Sequence, residues 1–137
     1  MMGLIYSEFK EKVNSKEINK YNIYSNALTL IESFYSIDDI KFFYARNLFN
    51  SKGVELYFFT NQGYFQLNIE GDNYVFKQFN SCLVMKTLKT SIYHDGDLHI
   101  LLEYDNGNSI EFKSIADSNE FWESKYAESI RQLYKVI

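Results

Sequence analysis

The stretch DLHILLEYDNGNSIEFKSIADSNEFW, residues 97–122, holds two strands, the turn between them and the approach to a helix. Leu98, Ile100, Leu102 and Tyr104 alternate onto one face, as do Ile110 and Phe112. A two-residue turn at Asn106-Gly107 would set Leu102 against Glu111. A three-residue loop, Asp105-Asn106-Gly107, sets Leu102 against Ile110 and Ile100 against Phe112. Only the second register buries apolar against apolar, and it needs Gly107 in a left-handed conformation. The same reasoning applied to His94-Asp95-Gly96 pairs Ile92 with Leu98 and Thr90 with Ile100, with Gly96 also at positive φ.

Upstream, short β-rich runs alternate with Gly, Asn and Asp. They predict strands near 40–49, 54–60, 64–69, 73–79, 82–93, 97–104 and 108–114. Proline is absent, so other residues must make the turns. The loops are too short for parallel crossovers, so the strands form an antiparallel meander.

Helical periodicity flanks the meander. Leu4, Ile5, Phe9 and Val13 share a face of a short helix over 4–13. Asn14 and Glu17 have capping-box spacing and predict a second helix of about five turns. Its stripe runs through Ile18, Tyr21, Ser25 or Tyr24, Leu28, Ile31 and Tyr35. At the other end, Asp117 and Glu120 repeat the capping-box spacing. Trp122, Tyr126, Ile130, Leu133 and Ile137 then follow at steps of four, four, three and four.

Seven antiparallel strands followed by one amphipathic helix that carries a single tryptophan resemble the pleckstrin-homology-like domains of bacteria. The segments 110–122 and LYFFTNQGYF (56–65) carry that resemblance over residues 37–137. It implies an α+β fold: a seven-stranded, partly open barrel capped by the C-terminal helix, with Trp122 as the plug. Residues 1–36 are then an N-terminal helical extension packed on the same folding unit. Its function would be that of a non-catalytic binding module for a protein or peptide, docking at a sheet edge or in the groove beside the terminal helix. Some lipid-binding members of the fold place basic residues on the first strand pair. Arg46 and Lys52 are the residues here that would contact a ligand in that way.

Composition narrows the alternatives. The chain has 137 residues, a net charge of -4 and a pI near 5.2. That balance argues against nucleic acid and disfavours an anionic lipid surface. One cysteine, Cys82, excludes an intrachain disulfide and suits a small, at least half-buried strand residue. Residues 1–6 are apolar but charged residues follow at once, unlike a signal peptide. No run approaches the roughly 20 apolar residues of a membrane span. A cytoplasmic protein is the expectation. Aromatics reach 18%, which with abundant Asn, Ile and Lys fits an AT-rich bacterial genome.

Two further readings stay open. A helix-grip carrier of an apolar ligand would need an enclosed pocket of at least ~300 Å³. A metal-dependent enzyme would draw on His94, Asp95, Asp97 and His99, although turn chemistry explains Asp95-Gly96. Acidic residues such as Asp38, Asp39, Glu103 and Glu111 carry no catalytic spacing and read as solvated faces. No cofactor motif is present, and the aromatic-rich N-terminal helices leave a homodimer open.

Overall fold

A computed structural model describes residues 4–137; the expectations for Met1, Met2 and Gly3 lie outside the described residues. Two helices, α1 (Tyr6–Asn14) and α2 (Tyr21–Phe34), precede seven strands and a last helix, α3 (Glu123–Val136). The strands are β1 (Phe42–Arg46), β2 (Glu55–Thr60), β3 (Gly63–Glu70), β4 (Asn73–Asn80), β5 (Leu83–Thr90), β6 (Leu98–Tyr104) and β7 (Ser109–Lys113). They form two antiparallel sheets, ordered β1-β2-β3-β4 and β5-β6-β7, which do not close into one barrel.

Strands β1 to β3 of the first sheet are buried on both faces. Phe43, Ala45, Leu56, Phe58, Phe65 and Leu67 pack with Phe9, Val13, Leu28 and Ile31 of α1 and α2. Tyr44, Tyr57, Phe59 and Tyr64 point the other way and meet Ile100, Leu102 and Phe112 of the second sheet and Ile130 and Leu133 of α3. A strand buried on both sides reads as a continuous apolar run, which is why FFYA (42–45) and LYFF (56–59) show no alternation. The second sheet has one covered face, and β6 shows strict alternation of buried and part-exposed residues.

The register expected at the last hairpin is the one observed. Ile100 pairs with Phe112 and Leu102 with Ile110, and Gly107 has φ 87°. The preceding hairpin differs. Thr90 pairs with Leu98 and Leu88 with Ile100, two residues away from the expected register. The strand stops at Thr90, a longer loop follows, and Gly96 is not at positive φ. Ile92 and Tyr93 are 91% and 96% exposed. The shift puts Leu88 into the partly buried position opposite Ile100, so the fold buries Leu88 and releases Ile92.

Neither capping box forms. Asn14 ends α1, and the next residues close that helix. The Glu17 N–H donates to Lys12 O and the Lys16 N–H to Val13 O, with Lys16 at φ 63°. This is a Schellman-type stop with lysine in the left-handed place usually taken by glycine. A second left-handed residue, Lys20 at φ 60°, starts α2, which is shorter than the five turns expected. Ile5 is exposed at the start of α1, whereas Tyr6 is buried. At the other end, the Asp117 side chain is drawn into the interior and caps nothing. Asn119 Oδ1 instead accepts the N–H groups of Phe121 (3.0 Å) and Trp122 (3.1 Å), and α3 begins at Glu123.

Trp122 is not the plug. It is half-buried, stacked on Phe49 with centroids 3.8 Å apart, and it touches both apolar clusters. Lys125 and Lys12 sit over its ring. The side chains that seal the second sheet are Tyr126, Ala127, Ile130 and Leu133.

These backbone details separate two substitutions. A Cβ on Gly63 would lie 2.0 Å from Phe79 O, so Gly63→Ala must displace the β3–β4 pairing and is expected to cost ~2 kcal/mol or more. Lys16→Gly relieves a left-handed lysine and is expected to stabilise by ~0.5–1 kcal/mol. Urea denaturation of the two variants measures both, with opposite signs.

Candidate functional site

Arg46 ends β1 and its guanidinium is largely buried, with the side chain 18% exposed. It lies over the rings of Phe112 (4.8 Å) and Tyr57 (5.3 Å), where burial is tolerable only with counter-charges. Asp117 Oδ1 is 3.5 Å from Nε, and Glu55 Oε1 is 3.3 Å from Nη1. Nη1 also donates to Tyr57 Oη at 3.3 Å, and Nη2 donates to the Glu111 carbonyl. Asp117 accepts the Lys113 N–H and the Tyr44 hydroxyl, both at 2.8 Å. Burial pushes the Asp117 carboxyl above its usual range, while Arg46 and these hydrogen bonds pull it down. Burial likewise raises the Tyr44 and Tyr57 phenols, which keeps both protonated as donors.

Arg46 lines an open trough of about 450 Å³ with Tyr57, Tyr64, Gln66, Phe79 and the 108–111 segment. Its donors are directed at internal partners. Lys52, the other expected ligand contact, lies in the β1–β2 loop and donates to Ala116 O at 2.8 Å. It is absent from the trough lining.

The histidines do not converge. His94 Nε2 is 3.7 Å from Glu123 Oε1 on α3, and His99 Nε2 is 3.2 Å from Asp97 Oδ1. Among the described residues no three His, Cys, Asp or Glu side chains are grouped to hold a metal. Asp38 and Asp39 sit in a 3₁₀ turn, Ile37–Asp39. Glu103 lies on β6, and Glu111 on β7 pairs with Lys113 at 3.2 Å. Cys82 is exposed in the β4–β5 link, contrary to the buried strand position expected. A cleft of about 210 Å³ between Tyr35, Thr60, Gln62, Phe65 and Gln78 is lined by polar and aromatic side chains in similar measure. It is smaller than the enclosed apolar pocket a helix-grip carrier needs.

The four sheet edges are treated unequally. On β1, Ala45 O accepts the Tyr126 hydroxyl and the Asn47 N–H, just past the strand, donates to Asp117 O at 2.8 Å. On β7, the bonds Tyr104 N–H to Asn108 O and Ser114 N–H to Leu98 O fix the ladder phase. The backbone of Ser109, Glu111 and Lys113 therefore points outward. Arg46 occupies Glu111 O, and both backbone groups of Lys113 bond to Asp117. On β4, the α2 end packs against one face of the strand, where Phe34 meets Phe76 edge-on, Tyr35 Oη bonds Gln78 and Tyr74 Oη bonds Ile23 O.

The β5 edge has no such cover. Ser91 N–H donates to Asp97 O, so in phase with it Lys89, Thr87 and Met85 bond to β6. The N–H and C=O groups of Lys86, Leu88 and Thr90 point away from the sheet. Val84, beside a register shift, is 68% exposed and Met85 53%. Lys86 Nζ reaches across to Tyr134 O of α3 at 2.7 Å. Which edge stays open is not legible in the strand patterns, because alternation reports faces and not edges.

A family model described as protein of unknown function (DUF3908) matches residues 6–128. The chain belongs to the DUF3908 family. Among curated proteins and solved structures nothing matches it. The family span takes in α1, both sheets and the first part of α3, so the helices before β1 are part of what the DUF3908 family shares. No helix among the described residues is long and apolar enough to cross a membrane.

The Arg46–Asp117 pair predicts a pH signature. Arg46→Met strands the Asp117 charge and is expected to cost about 3–5 kcal/mol near neutrality. A carboxyl raised in the folded state opposes folding when ionised, so its penalty disappears as pH falls through the folded pKa. The deficit of the variant therefore shrinks at mildly acidic pH, and Arg46→Met/Asp117→Asn recovers part of it at neutrality. Urea titrations of the three proteins at both pH values measure this.

Proposed function

We propose that this chain is a non-catalytic binding module that accepts an extended segment of a partner protein or peptide onto the free edge of β5, beside α3. The observation that carries this reading is the row of outward backbone groups at Lys86, Leu88 and Thr90, next to exposed Val84 and Met85. An edge of this kind offers a template for main-chain pairing, and alternate side chains set the preference. Tyr126, Asp117 and Arg46 occupy the β1 and β7 edges, and the exposed Val84 and Met85, which have no counterpart on β4, favour β5. The scaffold is of pleckstrin-homology-like type in this reading. Four strands followed by three and then a helix against the second sheet support it. An exposed free thiol at Cys82 suits the reducing cytoplasm.

Peptides selected from a random display library should slow amide exchange at Lys86, Leu88 and Thr90. Thr90→Pro removes one outward N–H from an exposed position and should weaken binding about fivefold, the worth of one net hydrogen bond. Protection confined to β4 or β7, or no selected peptide at all, overturns the reading.

A further inference from the structure

The exposed residues along β5 have a pattern of their own. Val84 and Met85 lie at one end. Ile92 and Tyr93 follow the other end, and at 91% and 96% exposure they contribute almost nothing to the core. Their loop is held in place. Ser91 Oγ accepts the N–H groups of Tyr93 (3.2 Å) and His94 (3.1 Å), and Arg131 Nη2 donates to Asp95 O at 2.6 Å. Between the apolar ends lie Lys86 and Lys89. Residues 73–90 contain three lysines and no Asp or Glu, in a chain whose net charge is -4. Among the described residues none of the three forms an ion pair. Val84 to Thr90 spans about 20 Å of extended chain, and Ile92 and Tyr93 lie in the bend that follows.

We infer that the segment taken by β5 is acidic at its centre and apolar towards both ends. This inference rests on the strand-addition reading and names the partner's chemistry. A carboxylate on the added strand falls beside exposed Lys89, where an opposite-charge cross-strand pair is favourable. Aliphatic or aromatic residues four positions to either side meet Val84 and Met85, or Ile92 and Tyr93. The pattern reads the same from both ends, so it serves either strand direction. It also disfavours a second copy of this chain, because an antiparallel β5–β5 pairing would bring both Lys89 side chains onto one face.

Two synthetic peptides test this: one with apolar ends and a central Glu pair, and its isostere with Gln for Glu. Fluorescence anisotropy should show the Glu peptide binding about tenfold more tightly at low salt, with the gap closing at high salt. Lys89→Glu should reverse the order of the two peptides. Ile92→Ser/Tyr93→Ser should weaken both peptides equally without changing stability. Equal binding of the two peptides, or an order unchanged by Lys89→Glu, overturns the acidic assignment. The strand-addition reading survives that result if both peptides still protect the Lys86, Leu88 and Thr90 amides. Protection of those amides by concentration alone, with dimers in sedimentation, makes the occupant a second copy and also overturns it.

Discussion

Burial of β1–β3 on both faces is the constraint from which the rest of the molecule follows. A sheet with Phe58 on one side and Phe59 on the other, each 0% exposed, cannot face water on either. The second sheet and α3 cover one face. The other needs α1 and α2, whose Phe9, Leu28 and Ile31 complete it. The N-terminal helices are therefore half of the core, and removing them would expose a contiguous aromatic surface. The family match beginning at residue 6 agrees with that dependence.

The same constraint traps a charge. Arg46 ends a strand whose neighbours are aromatic on both faces, so its guanidinium lies over Tyr57 and Phe112. Asp117, Glu55, Tyr57 and the Glu111 carbonyl supply the partners it loses by leaving water. An apolar side chain there could pack as well or better. The ion pair does something an apolar residue would not: it occupies the outward groups of β7. One buried pair thus ties the two sheets together and takes an edge out of use.

Much of the plan was legible in the sequence because it rests on local pattern. The seven strands, the 105–107 loop and the α3 stripe of Tyr126, Ile130 and Leu133 all follow from period and turn chemistry. What was not legible depends on competition between sites. Asn14-x-x-Glu17 has the spacing of a helix start, but the same residues close α1 around Lys16. Asp117 resembles a cap, yet Arg46, seventy-one positions earlier, claims it. Trp122 resembles a plug, and Phe49 draws it aside. Asp117 and Trp122 take partners distant in the chain, whereas Asn14 and Glu17 fit a local helix stop as well as a helix start. Ile92 was assigned inward because apolar alternation allowed it; Leu88 fits opposite Ile100 and leaves Ile92 outside.

The β5 edge gains meaning from this contrast. Edge strands invite unwanted pairing, and proteins blunt them with covers, bulges and charges. Here β1 and β7 are covered by tyrosine and ion pair, and α2 packs against one face of β4. On β5 the devices are a register shift at one end and two lysines, and the backbone stays accessible between them. Lysines repel another β5 while attracting an acidic strand, so the same residues that keep copies apart select a partner. The apolar side chains at both ends would be a solubility cost if nothing met them. Ile92 and Tyr93, on a loop held by Ser91 and Arg131, and Val84 and Met85 at the other end form surfaces whose chemistry is opposite to that of the strand between them, and a ligand must match both.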